Sequence, residues 1–276
     1  MTRILSAAPL CTPHAPVLDF LDAAAASSFS HVGIRLKEPQ PSSALHKIMQ
    51  TPETRRSLVR RVKDLGLKVL EVEAFWINED FDIDVFKTCM EVAEQLTPHV
   101  FLVVGNDTDG GRLLDNFCRV VELGNSAGMR TGIEFIPYTA VKTLHEAQAL
   151  IDASGTDAGH VVDTLHLSRS GGSPGDIKCV PEGDVCMFHI CDAPARSPET
   201  DAEKRTEARS NRLAPGTGEL PLREIIDMAP ADTPLEVECP MRVFEDLPPR
   251  EILARLRKAV IDCMEGPRWA AGVKHD

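Results

Sequence analysis

Four short apolar runs each carry one side chain of a type that binds metal ions: Glu134 in GIEF, Asp163 in VVDT, His189 in MFHICD and Glu238 in EVEC. Their flanks are apolar, so each is expected to leave bulk water. An unpaired buried carboxylate is expensive, and three converging carboxylates repel one another. A divalent cation resolves both problems. Three carboxylates and one imidazole suit Mn2+, Mg2+, Co2+ or Zn2+; Fe2+ is also compatible, and room is left for water or substrate oxygens. Taken singly, an acid inside a strand pattern is more often ion-paired or on the surface, and a histidine near a strand end is more often structural. Four such residues in successive runs together predict a metal site.

An ion held this way polarises the carbonyl of a ketose or keto acid and acidifies the neighbouring C–H, so that a flanking carboxylate can take the proton. The fate of the resulting metal-stabilised enediolate sets the reaction: epimerisation, aldose–ketose isomerisation, or loss of a leaving group in a lyase or dehydratase. The stretch HVVDTLHLSRSGG, residues 160–172, fits this chemistry. Asp163 serves the ion, and the turn beyond it aims His166 and Arg169 at the substrate. His166 differs from Asp163 in strand parity, which places it past the last ladder bond. The glycines that follow either let backbone approach a ligand or form an ordinary turn. Trp76 and Phe75 either wall the pocket or pack in the barrel. Glu73 is either a base behind the site or a residue with a surface or an ion-paired role. His14, His46 and Lys142 are assigned no role.

These residues must be positioned by regular elements. Strand-like runs occur at residues 3–10, 31–36, 68–77, 99–105, 130–137, 159–167, 185–193 and 234–240. Amphipathic helical patterns separate most of them, beginning with VLDFLDAAAASS and ending with PREILARLRKAVIDCM. Gly66, Gly128 and Gly155 follow helical runs where left-handed caps are expected. Eight alternations predict a single (β/α)8 barrel domain over residues 1–276, in which the loops after the strand C-termini build the site. An open doubly wound sheet is the alternative, but no GxGxxG follows the first run. The polar connection at about 193–233 is expected to hold a short helix and a loop that covers the site.

The chain has 276 residues, is 43% hydrophobic and 26% charged, and so has ample material for a core. A net charge of −12 opposes nucleic acid as a partner. Eight scattered cysteines without a CxxC pair read as reduced thiols. With no signal-like start and no apolar run long enough for a bilayer, no membrane role is expected and the location is expected to be cytoplasmic.

The four candidate ligands, the Asp163-x-x-His166 pair and SNRLAPGTGELPL at 210–222 together resemble the xylose isomerase-like TIM-barrel superfamily. This is the sugar phosphate isomerase/epimerase group, with tagatose and psicose 3-epimerases, inosose dehydratase, hydroxypyruvate isomerase and 3-dehydroshikimate dehydratases. The resemblance covers nearly the whole chain and is strongest from Gly132 to Pro240. It implies that Glu134, Asp163, His189 and Glu238 hold one divalent ion, Mn2+ or Mg2+ first. It also implies that Glu134 and Glu238 move protons, that His166 contacts a substrate oxygen, and that Arg212 anchors a substrate hydroxyl or carboxylate. Barrels of this group often pair, so a homo-oligomer is an expectation. One Tyr and two Trp make a thin aromatic wall for a free hexose. His166, Arg169 and Arg212 favour an acidic or keto-acid substrate, tilting the reading towards a lyase or dehydratase. The other readings are a non-catalytic accessory subunit and an apurinic endonuclease, the latter disfavoured by the charge balance.

Overall fold

The computed structural model describes residues 3–38 and 44–265; the ends of the expected 1–276 domain and residues 39–43 lie outside the described residues. Eight strands close in sequence order into one parallel barrel, β1 pairing with both β2 and β8. They are β1 Leu5–Ala7, β2 His31–Arg35, β3 Lys68–Ile77, β4 Val100–Gly105, β5 Arg130–Glu134, β6 Ala158–Asp163, β7 Val185–Ile190 and β8 Leu235–Val237. The (β/α)8 expectation holds, and the open sheet is excluded by the β1–β8 pairing.

Several expected strands are longer than the real ones, because apolar character continues past the last ladder bond. The first run stops at Ala7, since Pro9 lacks an N–H and opens a 3-10 turn, Pro9–Cys11. The sixth stops at Asp163 rather than 167, where the Asp163 side chain caps a new helix. The fifth, seventh and eighth end at Glu134, Ile190 and Val237.

The outer layer contains α1 Val17–Ala26, α2 Pro52–Asp64, α3 Ile83–Leu96, α4 Gly110–Ser126, α5 Leu144–Ser154 and, after two short helices α6 Thr164–Arg169 and α7 Pro174–Ile177, the long connection to β8. That connection holds two helices, α8 Asp201–Ser210 and α9 Leu222–Ile226, where a single short one was expected. The last helix is α10 Pro249–Glu265. Thr51, Thr143 and Thr200 start α2, α5 and α8 with capping boxes, each hydroxyl accepting from the N3 amide while the N3 side chain returns the bond. Gly66, Gly128 and Gly155 adopt positive φ of 66°, 74° and 60° at helix ends.

Strand alternation sorts side chains into two cores. Ile133, Val162, Phe188 and Val237 face outwards into the sheet–helix layer. Val104, Val161 and Met187 face inwards with Leu70, Val100 and Leu102. Moving two residues along β6 or β7 from Val161 or Met187 brings Asp163 and His189 inwards at the strand C-terminal ends.

Candidate metal centre

Glu134 ends β5, Asp163 ends β6, His189 lies one residue before the end of β7, and Glu238 follows β8. One donor atom from each of the four lies within 4.8 Å of the others. All four are buried, Asp163 and His189 completely. His189 Nδ1 is 3.0 Å from Glu134 Oε1 and 3.6 Å from Glu238 Oε2. Three sequence-distant acids and an imidazole therefore share one small volume.

Asp163 does two jobs. Its Oδ1 accepts from the amides of Leu165 at 2.7 Å and His166 at 2.9 Å, which caps α6. Its Oδ2 accepts from Arg212 Nη1 at 2.5 Å. Burial alone would raise its pKa; Arg212, His166, His189 and the amide bond outweigh that and hold it well below the usual range. Glu134 is pushed up to about 7 by burial, only partly offset by the bond from His189. Burial opposes the charge on His189, but Glu71, Glu238 and Glu134 raise its pKa well above that of a free imidazole.

Three further acids sit beside these. Glu71 and Glu236 are fully buried, and each has one carboxylate oxygen with no hydrogen-bond partner. Glu73 is buried, and its Oε1 accepts from Arg35 Nη2 at 3.1 Å. This removes the surface option for Glu73 and keeps the ion-paired one. Burial pushes Glu73 up to about 8 despite Arg35. Six carboxylates thus face two guanidiniums and one imidazole in a desolvated space. Such a set needs protons or a cation, and the oxygen-rich donor set fits a hard divalent ion.

Glu71 and Glu236 are absent from the sequence reading. Both stand two residues from another acid, in LEVEAF and LEVEC, and that spacing is the signal available. Simple alternation hides Glu71, because β3 slips register against β2 between Val32 and Gly33 and against β4 between Val72 and Phe75. These irregularities let Leu70, Trp76 and both glutamates serve the barrel interior, while Phe75 packs outside against Phe86 and Phe101.

The remaining expected residues divide. His166 is buried in α6 beside the cluster, its ring meeting Tyr138 edge-on at 5.9 Å, and its Nδ1 has no partner. Burial lowers its pKa to about 4, so it is neutral near pH 7. Trp76 is half-buried against the inner core. Arg212 gives Nη1 to Asp163 and the Glu238 carbonyl, and its Nη2 lies 3.1 Å from Glu238 Oε2, so it is first of all the counter-charge of two candidate ligands. Arg169 lies elsewhere in function: Nε and Nη2 donate to both Glu207 oxygens at 2.7 Å, and Nη2 also to the Pro194 carbonyl. Arg169 was expected to face a substrate; with its donors on Glu207, Ser168 and Pro194 it instead fastens α8 to α6.

The β7–β8 connection is organised around Asp192. Its Oδ1 accepts from the amides of Ala193 and Leu220, and its Oδ2 from those of Gly216 and Gly218. A β-carbon at Gly218 would collide with Asp192 Oδ1 and lie 2.5 Å from the Ala193 carbonyl, which is why PGTGEL needs glycine there. Arg205 of α8 stacks over the Tyr138 ring at 4.8 Å, bringing that helix over the site's rim.

Fold and site together define a closed (β/α)8 barrel with a buried carboxylate–imidazole cluster at its C-terminal face. The chain belongs to the xylose isomerase-like TIM barrel family, whose model matches residues 21–260. Among solved structures it resembles a xylose isomerase-like TIM barrel/4-hydroxyphenylpyruvate dioxygenase fusion protein (20% identity, TM-score 0.78), covering 96% of this chain and 43% of that one. It also resembles an IolI protein with a bound zinc atom (18% identity, TM-score 0.78; 94% of this chain, 97% of that one). A third is the probable 3-DHS dehydratase AsbF of petrobactin synthesis from Bacillus anthracis (14% identity, TM-score 0.70; 95% and 99%). The chain thus spans less than half of the fusion protein and nearly all of the other two. No curated protein matches the chain in sequence. No helix among the described residues is long and apolar enough to cross a membrane.

Proposed function

We propose that the chain is a divalent-metal-dependent enzyme acting on a small sugar, keto-sugar or cyclic keto acid. It would remove a proton beside a carbonyl and then return it, as an isomerase or epimerase, or expel a neighbouring leaving group, as a lyase or dehydratase. The observation that carries this is the convergence of Glu134, Asp163, His189 and Glu238 within 4.8 Å in a buried space. A bound divalent ion would polarise the substrate carbonyl and offset the negative charge that grows on its oxygen. Mn2+ or Mg2+ suits the three oxygens and one nitrogen best, with Co2+, Zn2+ or Fe2+ as alternatives; the zinc in the IolI relative supports the site type.

Glu134, buried at the end of β5, is placed as the group that takes and returns a proton at substrate carbon. Glu238 is the second proton-moving group, its carboxylate oriented by Arg212. The unpartnered Nδ1 of neutral His166 is available to a substrate oxygen, and Trp76 offers an apolar wall. With one Tyr and two Trp in the chain, the aromatic wall for a free hexose is thin, which favours an anionic keto acid, and the dehydratase relative supports the lyase branch. Eight free cysteines fit a cytoplasmic location.

The test is elemental analysis of freshly purified protein beside the Asp163→Asn, His189→Ala double variant, followed by incubation of keto-sugars and cyclic keto acids in D2O. Metal present in wild type and lost in the variant is expected, with deuterium entering beside a carbonyl. Retained substrate skeletons identify isomerase or epimerase chemistry, and a new alkene signal identifies dehydration. Wild type that holds no metal even after reconstitution sinks the proposal.

A further inference from the structure

Below the four-residue cluster, the barrel centre holds a second set in contact with the first through one ring. His189 Nε2 lies 3.1 Å from Glu71 Oε1, while Nδ1 faces Glu134 and Glu238. A neutral imidazole carries one N–H and one lone pair, and an ionised carboxylate can only accept. With a cation on Nδ1, between Glu134 and Glu238, the one remaining ring N–H sits on Nε2, where Glu71 Oε1 accepts it.

We propose that Glu71 is the positioning residue of the metal centre: by accepting the Nε2 N–H it fixes the tautomer and ring direction in which His189 presents Nδ1 to a cation. The proposal rests on the metal reading of the site. Carboxylates behind metal-bound imidazoles commonly play this part. Glu71 is itself held in place. It pairs with Gly33 across β2–β3, and a side chain at Gly33 would collide with Glu236 Oε1. Glu236 Oε2 in turn accepts from the hydroxyl of Ser6, its neighbour across β1–β8. Glu71, His189 and Glu236 bring one donor atom each within 4.8 Å, so both carboxylates stand close to the ring. Glu71 reaches the four-residue cluster through His189 Nε2, which makes its role distinct from those of Glu134 and Glu238.

The experiment titrates metal-free full-length protein with Zn2+ and with Mn2+ by calorimetry, and records 15N-histidine spectra of the zinc-loaded form. Wild type, Glu71→Gln and Glu71→Leu are compared. The expected result is one ion per wild-type chain, roughly 10- to 100-fold weaker binding in Glu71→Leu, and a smaller loss in Glu71→Gln, which keeps a neutral acceptor. The exchange-protected Nε2–H resonance of His189 should persist in wild type and Glu71→Gln and vanish in Glu71→Leu. A residue that merely supported the fold would leave that resonance unmoved. If Glu71→Leu does not fold, as judged by circular dichroism, the affinity and resonance of the near-isosteric Glu71→Gln decide. Unchanged affinity in the folded variants overturns the proposal while leaving the metal centre standing. Two ions in wild type, one of them lost in Glu71→Gln, overturn it by making Glu71 a ligand. Wild type that binds no ion overturns the metal reading itself and the positioning role with it, and is told apart because it is read without any variant.

Discussion

At the scale of single residues, the same side-chain type does different work according to what surrounds it. Asp163 is held ionised by Arg212 and two amides, so it suits a permanent ligand; burial pushes the Glu134 pKa up, so of the two it accepts a proton more readily. These environments predict separable variants. Glu134→Gln should lower turnover by about 100- to 10,000-fold while keeping part of the metal, since the amide oxygen still donates an electron pair. Asp163→Asn should weaken metal binding itself, while its remaining Oδ1 still caps α6. Metal content by plasma mass spectrometry alongside turnover separates the two. Full activity in both variants would remove these residues from the mechanism.

At the scale of elements, a buried ion pair ties α8 to α6. Arg169 of α6 and Glu207 of α8 are bonded twice at 2.7 Å, with side chains 1% and 11% exposed. Removing one partner leaves a buried charge alone, so Glu207→Leu should destabilise by about 3–5 kcal/mol. The double variant Arg169→Met, Glu207→Leu should recover much of that, because two apolar chains of similar volume need no partner. Denaturant unfolding of Glu207→Leu, Arg169→Met and the double variant checks the order, and additivity of the single effects would rule the coupling out. The β6–α5 contact has its own pH signature. His160 is fully buried, bonded through Nε2 to Gln148 at 2.9 Å, and burial lowers its pKa to about 4. The unfolded chain, with a pKa near 6.5, binds the proton that the folded chain refuses. Stability is therefore complete above pH 6.5 and falls as pH drops towards 4, by on the order of 3 kcal/mol for this group. His160→Gln should flatten that slope; melts between pH 4 and 7 show whether it does.

At the scale of the whole molecule, the barrel closes around a charge problem that no single element contains. Glu71 and Glu73 come from β3, Glu134 from β5, Asp163 from β6, and Glu236 and Glu238 from β8 or just beyond it. Their mutual repulsion opposes closure of the barrel, so a cation that binds only the closed form stabilises the whole fold. Saturating divalent metal at about 100 times its dissociation constant should add about 2.7 kcal/mol, raising the melting temperature by several degrees. Chelation should reverse the rise. The Asp163→Asn, His189→Ala double variant should show neither effect, and an equal rise in that variant would place the stabilising ion elsewhere.

The sequence alone determined the alternation of eight strand-like and helical segments, and hence the barrel, because a periodicity of two or of 3.6 is written locally in each segment. It also brought out Glu134, Asp163, His189 and Glu238 as a set, because each is a metal-binding side chain set within an apolar run. It did not determine where the strands stop, since capping by Asp163 and the missing N–H of Pro9 compete with an apolar pattern that continues unchanged. Only the tertiary structure decided that Arg169 faces Glu207, that Arg212 lies between two candidate ligands, and that Glu71 reaches His189. Those contacts join residues 38, 49 and 118 positions apart. The last depends on register slips in β3 that turn an outward-reading glutamate inwards, and register is a property of paired strands rather than of any one of them.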